Sequence, residues 1–351
     1  MNALLLVMLP LLGGSSHSHA NATNRIDEER FVEINRISVW VTIKGNREKP
    51  AILFVHGGPG SPLTPYADAI YHPWEKDFVL IQWDQRGTGR TYGQGAPDEL
   101  TPDYLRANPL TVEQMIADGI ALSRYVTQYL EKKKLILFGT SWGSVPGAAM
   151  AREHPELFHA YIGHSQVVHP AAADAAAYDR VITLAQQQGD ENALNILKTL
   201  GAPPYDLARH TGQFIRVVKK YQQQNASAPP DEWFVPSEAY NNETDRRNRS
   251  DGDDYSFVNY AGDTRLGVVG MCRSINLVAE GLTFDIPVFF IQGEHDLQTP
   301  VQLSREYFER IRAPLKRFIL LPDAEHGFNR SVVEAHYDIM KKYIVPAIGT
   351  E

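Results

Sequence analysis

The sequence predicts an α/β protein: a mainly parallel sheet covered by helices on both faces, interrupted by an inserted, mostly helical cap. Short, uniformly apolar runs recur along the chain, as strands buried on both faces require. Helical patterning alternates with those runs, as parallel connections require. The alternation stops between about residues 165 and 284 and then resumes. With 351 residues and 43% hydrophobic content, the chain can build one large core and still carry an insertion. The expected division is a sheet domain over 25–164 and 285–351, with the cap over 165–284.

Taken in order, residues 1–20 read as a secretory signal peptide. An apolar run over 3–12 is followed by small and polar residues, and Ser18, His19 and Ala20 form a small-x-small cleavage pattern. The first basic side chain is Arg25, so the charged start usual in a leader is missing. A working leader implies a periplasmic or secreted protein, and a non-functional one a cytoplasmic protein. The run is too short for a membrane-spanning helix, and no cysteine stands behind it for lipidation.

Residues 31–43 alternate as an opening antiparallel hairpin, and 51–55 (AILFV) and 78–83 follow as buried strands. Leu110, Met115, Ile116, Ile120, Leu122 and Val126 give 111–131 a helical stripe. A strand over 135–138 leads to a helix beginning near 145. Within the insertion an Ala-rich helical stretch at 171–177 leads into polar helices through 224, and 225–254 reads as a loop. Strands return at 286–292 and 317–321.

The chemistry-bearing residues stand at the ends of these strands. In LILFGTSWGSVPG (135–147), Ser141 sits between Gly139 and Gly143 where a strand gives way to a helix. That is the pattern of a nucleophile elbow, whose strained turn lifts a serine hydroxyl clear of the sheet and tolerates only tiny neighbours. Strand 51–55 runs into His56, Gly57, Gly58, Pro59 and Gly60, a loop whose backbone can approach a substrate carbonyl. The expected oxyanion donors are the N–H groups of Gly58 and of Trp142, the residue after the serine. Strand 286–292 ends at Gly293, Glu294, His295 and Asp296. Asp296 is the expected acid and Glu294 its competitor; Thr299 and Pro300 follow Asp296 in a way that suits a loop past the strand end. Strand 317–321 leads to His326, placed before Gly327 in a turn and expected to be the base. The order serine, acid, histidine is that of one particular fold and differs from the chymotrypsin and subtilisin orders. His56 is expected to hold the oxyanion loop, and His164 and His295 to be structural or surface residues.

Other function classes find little support. A net charge of −8 without a long Lys/Arg run argues against nucleic acid or an anionic membrane as partner. Cys272 is the only cysteine, which excludes an intramolecular disulfide and suits a small core residue. No histidine has metal-ligand spacing, so neither metal nor organic cofactor is expected. Segment 225–254 carries eight acidic against three basic residues, with Trp233 among its aromatics. It suits either a lid that holds a substrate cation or a solvated surface loop.

Together, His56–Gly60 (HGGPG), residues 83–91 (WDQRGTGRT), 139–144 (GTSWGS), Gly293 with Asp296, and His326 with Gly327 resemble the α/β-hydrolases. The resemblance is specifically to the proline iminopeptidase branch of the S33 serine peptidases. It implies the α/β-hydrolase fold, Ser141, Asp296 and His326 as a triad, and Asp84 and Arg86 as braces of the surrounding loops. It also implies a small-molecule or short-peptide substrate whose ammonium meets acidic residues of the cap. The cap motif, a glutamate shortly before a Tyr-Phe pair, has a loose counterpart in Asp253, Asp254, Tyr255, Ser256 and Phe257. Asp253, Glu232 and Trp233 are the expected substrate contacts. The alternatives are a carboxylesterase or lactonase using the same triad, and a noncatalytic binding protein on the same scaffold.

Overall fold

The computed structural model describes residues 24–349; the leader read over 1–20 lies outside them. Strands β1 (Arg25–Ile34) and β2 (Ile37–Asn46) form an antiparallel hairpin turned at Asn35 and Arg36. Then come β3 (Ala51–Val55), β4 (Val79–Trp83), the short helix α1 (Gly89–Gly93) and the long helix α2 (Val112–Leu130). The start of α2 is set at Thr111. Its side chain accepts from the Gln114 N–H while the Gln114 side chain accepts from the Thr111 N–H, so each satisfies a helix-end donor. Next are β5 (Leu135–Thr140), α3 (Ser144–Glu153) and β6 (Phe158–His164).

After β6 the chain leaves the sheet and returns only at β7 (Val288–Gly293), which pairs with β6 itself. Between them lie α4 (Pro170–Gln188), α5 (Glu191–Leu200), α6 (Ala208–Gln222) and α7 (Glu243–Ala261). The region 225–254, read as a loop, is a loop only in its first part. Two 3-10 turns are followed by α7, capped at Asn242, whose side chain accepts from the Asp245 N–H. The buried residues of α7 are Asp245, Gly252, Tyr255, Ser256, Asn259 and Ala261, so polar and small residues interrupt the apolar stripe that would betray it. The chain then closes with α8 (Val301–Arg310), β8 (Lys316–Leu321) and α9 (Arg330–Ile339).

The eight strands run in the order β1-β2-β4-β3-β5-β6-β7-β8, parallel from β4 through β8. Alternate residues face two cores. Leu53, Val55, Ile81 and Leu137 pack with α2, α3 and α8 on one face; Ile52, Phe54, Leu80 and Phe138 pack with α9 on the other. The insertion has its own small core, made by Val181, Leu197, Phe214, Tyr221 and their neighbours. Among the described residues no helix is long and apolar enough to cross a membrane.

This topology places the site. From β3 the chain moves outward to β4, then crosses back to put β5 on the other side of β3, so β3 and β5 flank the point where strand order reverses. Val55 pairs with Gly139, so the loop after β3 and the turn after β5 leave the sheet side by side. The carboxyl ends of parallel strands at such a point form a crevice for ligands.

Candidate active site

Ser141 takes φ +50, a left-handed conformation that a side chain adopts only under constraint. The constraint is close packing. A Cβ on Gly143 would fall 2.0 Å from the Val55 carbonyl oxygen, and one on Gly139 would fall 2.7 Å from that of Gly143. The turn is also tied behind the serine, where the Ser144 hydroxyl donates to the Ser141 carbonyl and accepts from the Val167 N–H.

The Ser141 Oγ lies 2.7 Å from His326 Nε2, and His326 Nδ1 lies 3.0 and 3.1 Å from the two oxygens of Asp296. Three strand ends, those of β5, β7 and β8, therefore converge on one relay. Asp296 is buried and accepts from the N–H groups of Gln298 and Thr299, from the Thr299 hydroxyl and from the Gln292 amide. Burial works against its charge, but the His326 imidazole and these donors outweigh it and hold the carboxyl below its ordinary value. Burial likewise opposes a charged imidazole at His326. The Asp296 carboxylate, assisted by Glu325, overcomes that and raises His326 above its ordinary value. Glu294, the competitor of Asp296, is exposed.

His56 braces the loop after β3. The Gln85 N–H donates to its Nε2, which leaves the proton on Nδ1 to donate to the Gly57 carbonyl, 2.8 Å away. Burial pushes its pKa down to about 4, so the ring is neutral. Gly57 lies directly against Ser141: a Cβ there would sit 3.7 Å from Ser141 Oγ. Gly58 follows with φ +112, and Trp142 is buried in the first turn after the serine. Asp84 accepts from the Thr64 hydroxyl and the Arg90 N–H; Arg86 makes a two-pronged ion pair with buried Asp118.

The expected cap contacts separate. Trp233 is buried in the core beneath the sheet with Phe54 and Trp74, on the face packed against α9, and so provides no wall for the site. Glu232 beside it is exposed and pairs with Arg330 at 3.6 Å. An aromatic next to carboxylates reads as a lid in the sequence, but the large apolar area of Trp233 is better satisfied beneath the sheet. Asp253 does border the site: it accepts from the Ser61 hydroxyl at 3.0 Å, next to the glycine loop. A Cβ on Gly60 would meet the Asp253 Cα at 2.8 Å, so α7 rests directly on that loop.

Another carboxylate was not legible in the sequence. Asp174 of α4 lines a narrow crevice with Gln166, Tyr260, Gln298 and Thr299. Thr299 contacts Asp296 and His326, and the Tyr260 ring meets the Trp142 ring at 5.7 Å, so the crevice adjoins the relay. No hydrogen bond or ion pair among the described residues compensates Asp174, and burial pushes its pKa up to about 6. Cys272 is partly buried nearby, its thiol pushed by burial up to about 11, unsuited to a nucleophile.

Comparison with known proteins agrees with this fold. The profile of the alpha/beta hydrolase fold family matches residues 50–329. A probable aminopeptidase of Bacillus subtilis, YbaC, is 26% identical over 285 residues, 80% of this chain and 84% of that protein. A proline iminopeptidase of Neisseria gonorrhoeae is 32% identical over 127 residues, a stretch that spans only 36% of either chain. Among solved structures, the proline iminopeptidase of Mycobacterium smegmatis superposes with a TM-score of 0.65 at 18% identity, over 92% of this chain and 100% of that one. At that identity the likeness is one of fold.

Proposed function

The chain belongs to the α/β-hydrolase family, and from that premise we propose that it is a serine aminopeptidase releasing N-terminal residues from short peptides. The continuous Ser141, His326, Asp296 relay carries the proposal. His326 takes the hydroxyl proton as Ser141 attacks the scissile carbonyl. Asp296 keeps the imidazole oriented and stabilises its charged form. The N–H groups of Gly58 and Trp142 receive the oxyanion, and Gly57 keeps that space free of side chains. The amine leaves with a proton from His326. Water, activated by the same histidine, then releases the acyl group.

Names of relatives support the aminopeptidase reading, and so does Asp174. An uncompensated carboxylate in a crevice beside the relay suits a substrate ammonium, which would draw its pKa back down and supply the missing partner. Asp253 stands at the rim of the same site. An esterase would use the same relay but has no need of that carboxylate.

The test compares prolyl, alanyl and N-acetylprolyl arylamides with a short-chain nitrophenyl ester, using the parent chain and Ser141→Ala. Cleavage of unblocked arylamides alone, lost in Ser141→Ala and raised in KM by Asp174→Asn, is the expected result. Ester turnover without arylamide turnover would make the protein an esterase. No turnover and no fluorophosphonate labelling of Ser141 would make it a binding protein.

A further inference from the structure

The loops carrying Asp296 and His326 are not held by the sheet alone. Gln222, the last residue of α6, is buried and makes two contacts that belong to neither the cap nor the sheet. Its amide Nε2 donates to Glu325 Oε2 at 2.5 Å, and its Oε1 accepts from the Leu297 N–H at 3.4 Å. Leu297 follows the acid and Glu325 precedes the base. Glu325 Oε2 also accepts the His326 N–H at 2.7 Å, so one amide side chain from the insertion bridges both loops. Leu297 itself packs into the insertion's own core, against the cluster of Val181, Leu197 and Phe214.

We propose that Gln222 and Glu325 are positioning residues that couple the seating of the cap to the alignment of Asp296 with His326. The cap then governs the chemical step as well as access. With α6 seated, the Gln222 amide fixes the distance between the two loops, and Glu325 contributes negative charge beside the imidazole. With α6 displaced, the loops lose their common tie and Leu297 loses its apolar seat. The coupling rests on the reading of Ser141, His326 and Asp296 as a catalytic relay.

The charged groups around His326 define the sign of the electrostatic part. Asp296 on the loop after β7 and Glu325 on its own loop favour the imidazolium, whereas Lys219 of α6 opposes it. Buried His164 of β6 lies close enough for its own charge to be disfavoured by His326. Replacing Glu325 by glutamine keeps an acceptor for the His326 N–H and removes one of the two favouring charges.

The experiment measures the rate at which a small fluorophosphonate labels Ser141, together with the pH profile of that rate, in the parent chain, Gln222→Ala, Gln222→Met and Glu325→Gln. Such a probe needs the nucleophile and base but no cap subsite. Labelling about tenfold slower in Gln222→Ala and Gln222→Met, with circular dichroism unchanged, is expected, as is an acid limb moved to lower pH in Glu325→Gln. Labelling at the parent rate in folded Gln222 variants, or an unmoved limb in Glu325→Gln, would overturn the coupling and leave the relay intact. A parent chain that does not label overturns the relay reading, and the coupling with it. If Gln222→Ala fails to fold, Gln222→Met, which keeps the length of the side chain without its amide, decides.

Discussion

At the scale of single residues, the proposed acid, base and nucleophile would act through states that their surroundings impose. His326 must be neutral to accept the Ser141 proton, and Asp296 holds it above the ordinary histidine value. The acid limb of kcat/KM should therefore lie above about pH 6.5, with activity lost as pH falls through it; a limb well below that value would show that another group titrates. Asp296→Asn should lower kcat by about 10⁴-fold, because an amide cannot favour the same tautomer; stopped assays at saturating substrate would measure it. The side chains that meet were legible in the sequence because each stands just past an apolar strand with a turn signature, as Ser141 does between its glycines. Glu325, Gln222 and Asp174 carried no such mark. Their importance comes from distant segments brought together, and a polar residue in a loop or on a helix looks alike whether it faces a relay or water.

Among the elements, the strands and α2 were readable from their apolar spacing, and α7 was not. Its buried face mixes polar and small residues with Tyr255, and it is docked through specific contacts. The Arg90 guanidinium of α1 is paired on two nitrogens with Asp245, donates to the Ala239 carbonyl, and lies over the rings of Trp40 and Tyr240 at 4.5 and 4.0 Å. The Ser256 hydroxyl donates to the Gly87 carbonyl at the same junction. Arg90→Ala leaves a largely buried carboxylate unpaired and should cost about 3 kcal/mol of unfolding free energy in urea titrations. Arg90→Lys should recover only part of that, since an ammonium cannot reproduce the planar fork. Trp233 shows the reverse error of sequence reading: an acidic neighbourhood suggested a lid, but the indole had a larger apolar seat beneath the sheet.

For the whole molecule, stability and pH are linked through imidazoles buried without charge. His164 and His336 face each other at 5.0 Å beneath the site, and neither ring nitrogen of His336 has a hydrogen-bond partner among the described residues. Burial lowers His164 to about 3 and His336 well below its ordinary value. The unfolded chain takes up a proton near pH 6.5 that the folded chain refuses, so this stability is present above that pH and lost as pH falls. His336→Leu should make the fall shallower, by up to about 1.4 kcal/mol per pH unit as pH drops below about 6. Urea unfolding at a series of pH values would detect it, and parallel slopes would show that His336 is already charged in the fold.

The insertion between β6 and β7 also sets an order of events in synthesis. Ser141 leaves the ribosome 185 residues before His326, a delay of roughly ten to forty seconds at usual elongation rates. Throughout that interval the elbow can form on β3, β5 and β6, but it has no base, and until its last 30 residues no acid either, so on the proposed mechanism the nascent chain cannot attack its neighbours. The insertion likewise leaves the edge of β6 without its partner β7, an unpaired strand open to wrong pairing until β7 arrives. The split that keeps the unfinished hydrolase inert is thus also the moment at which it most needs protection.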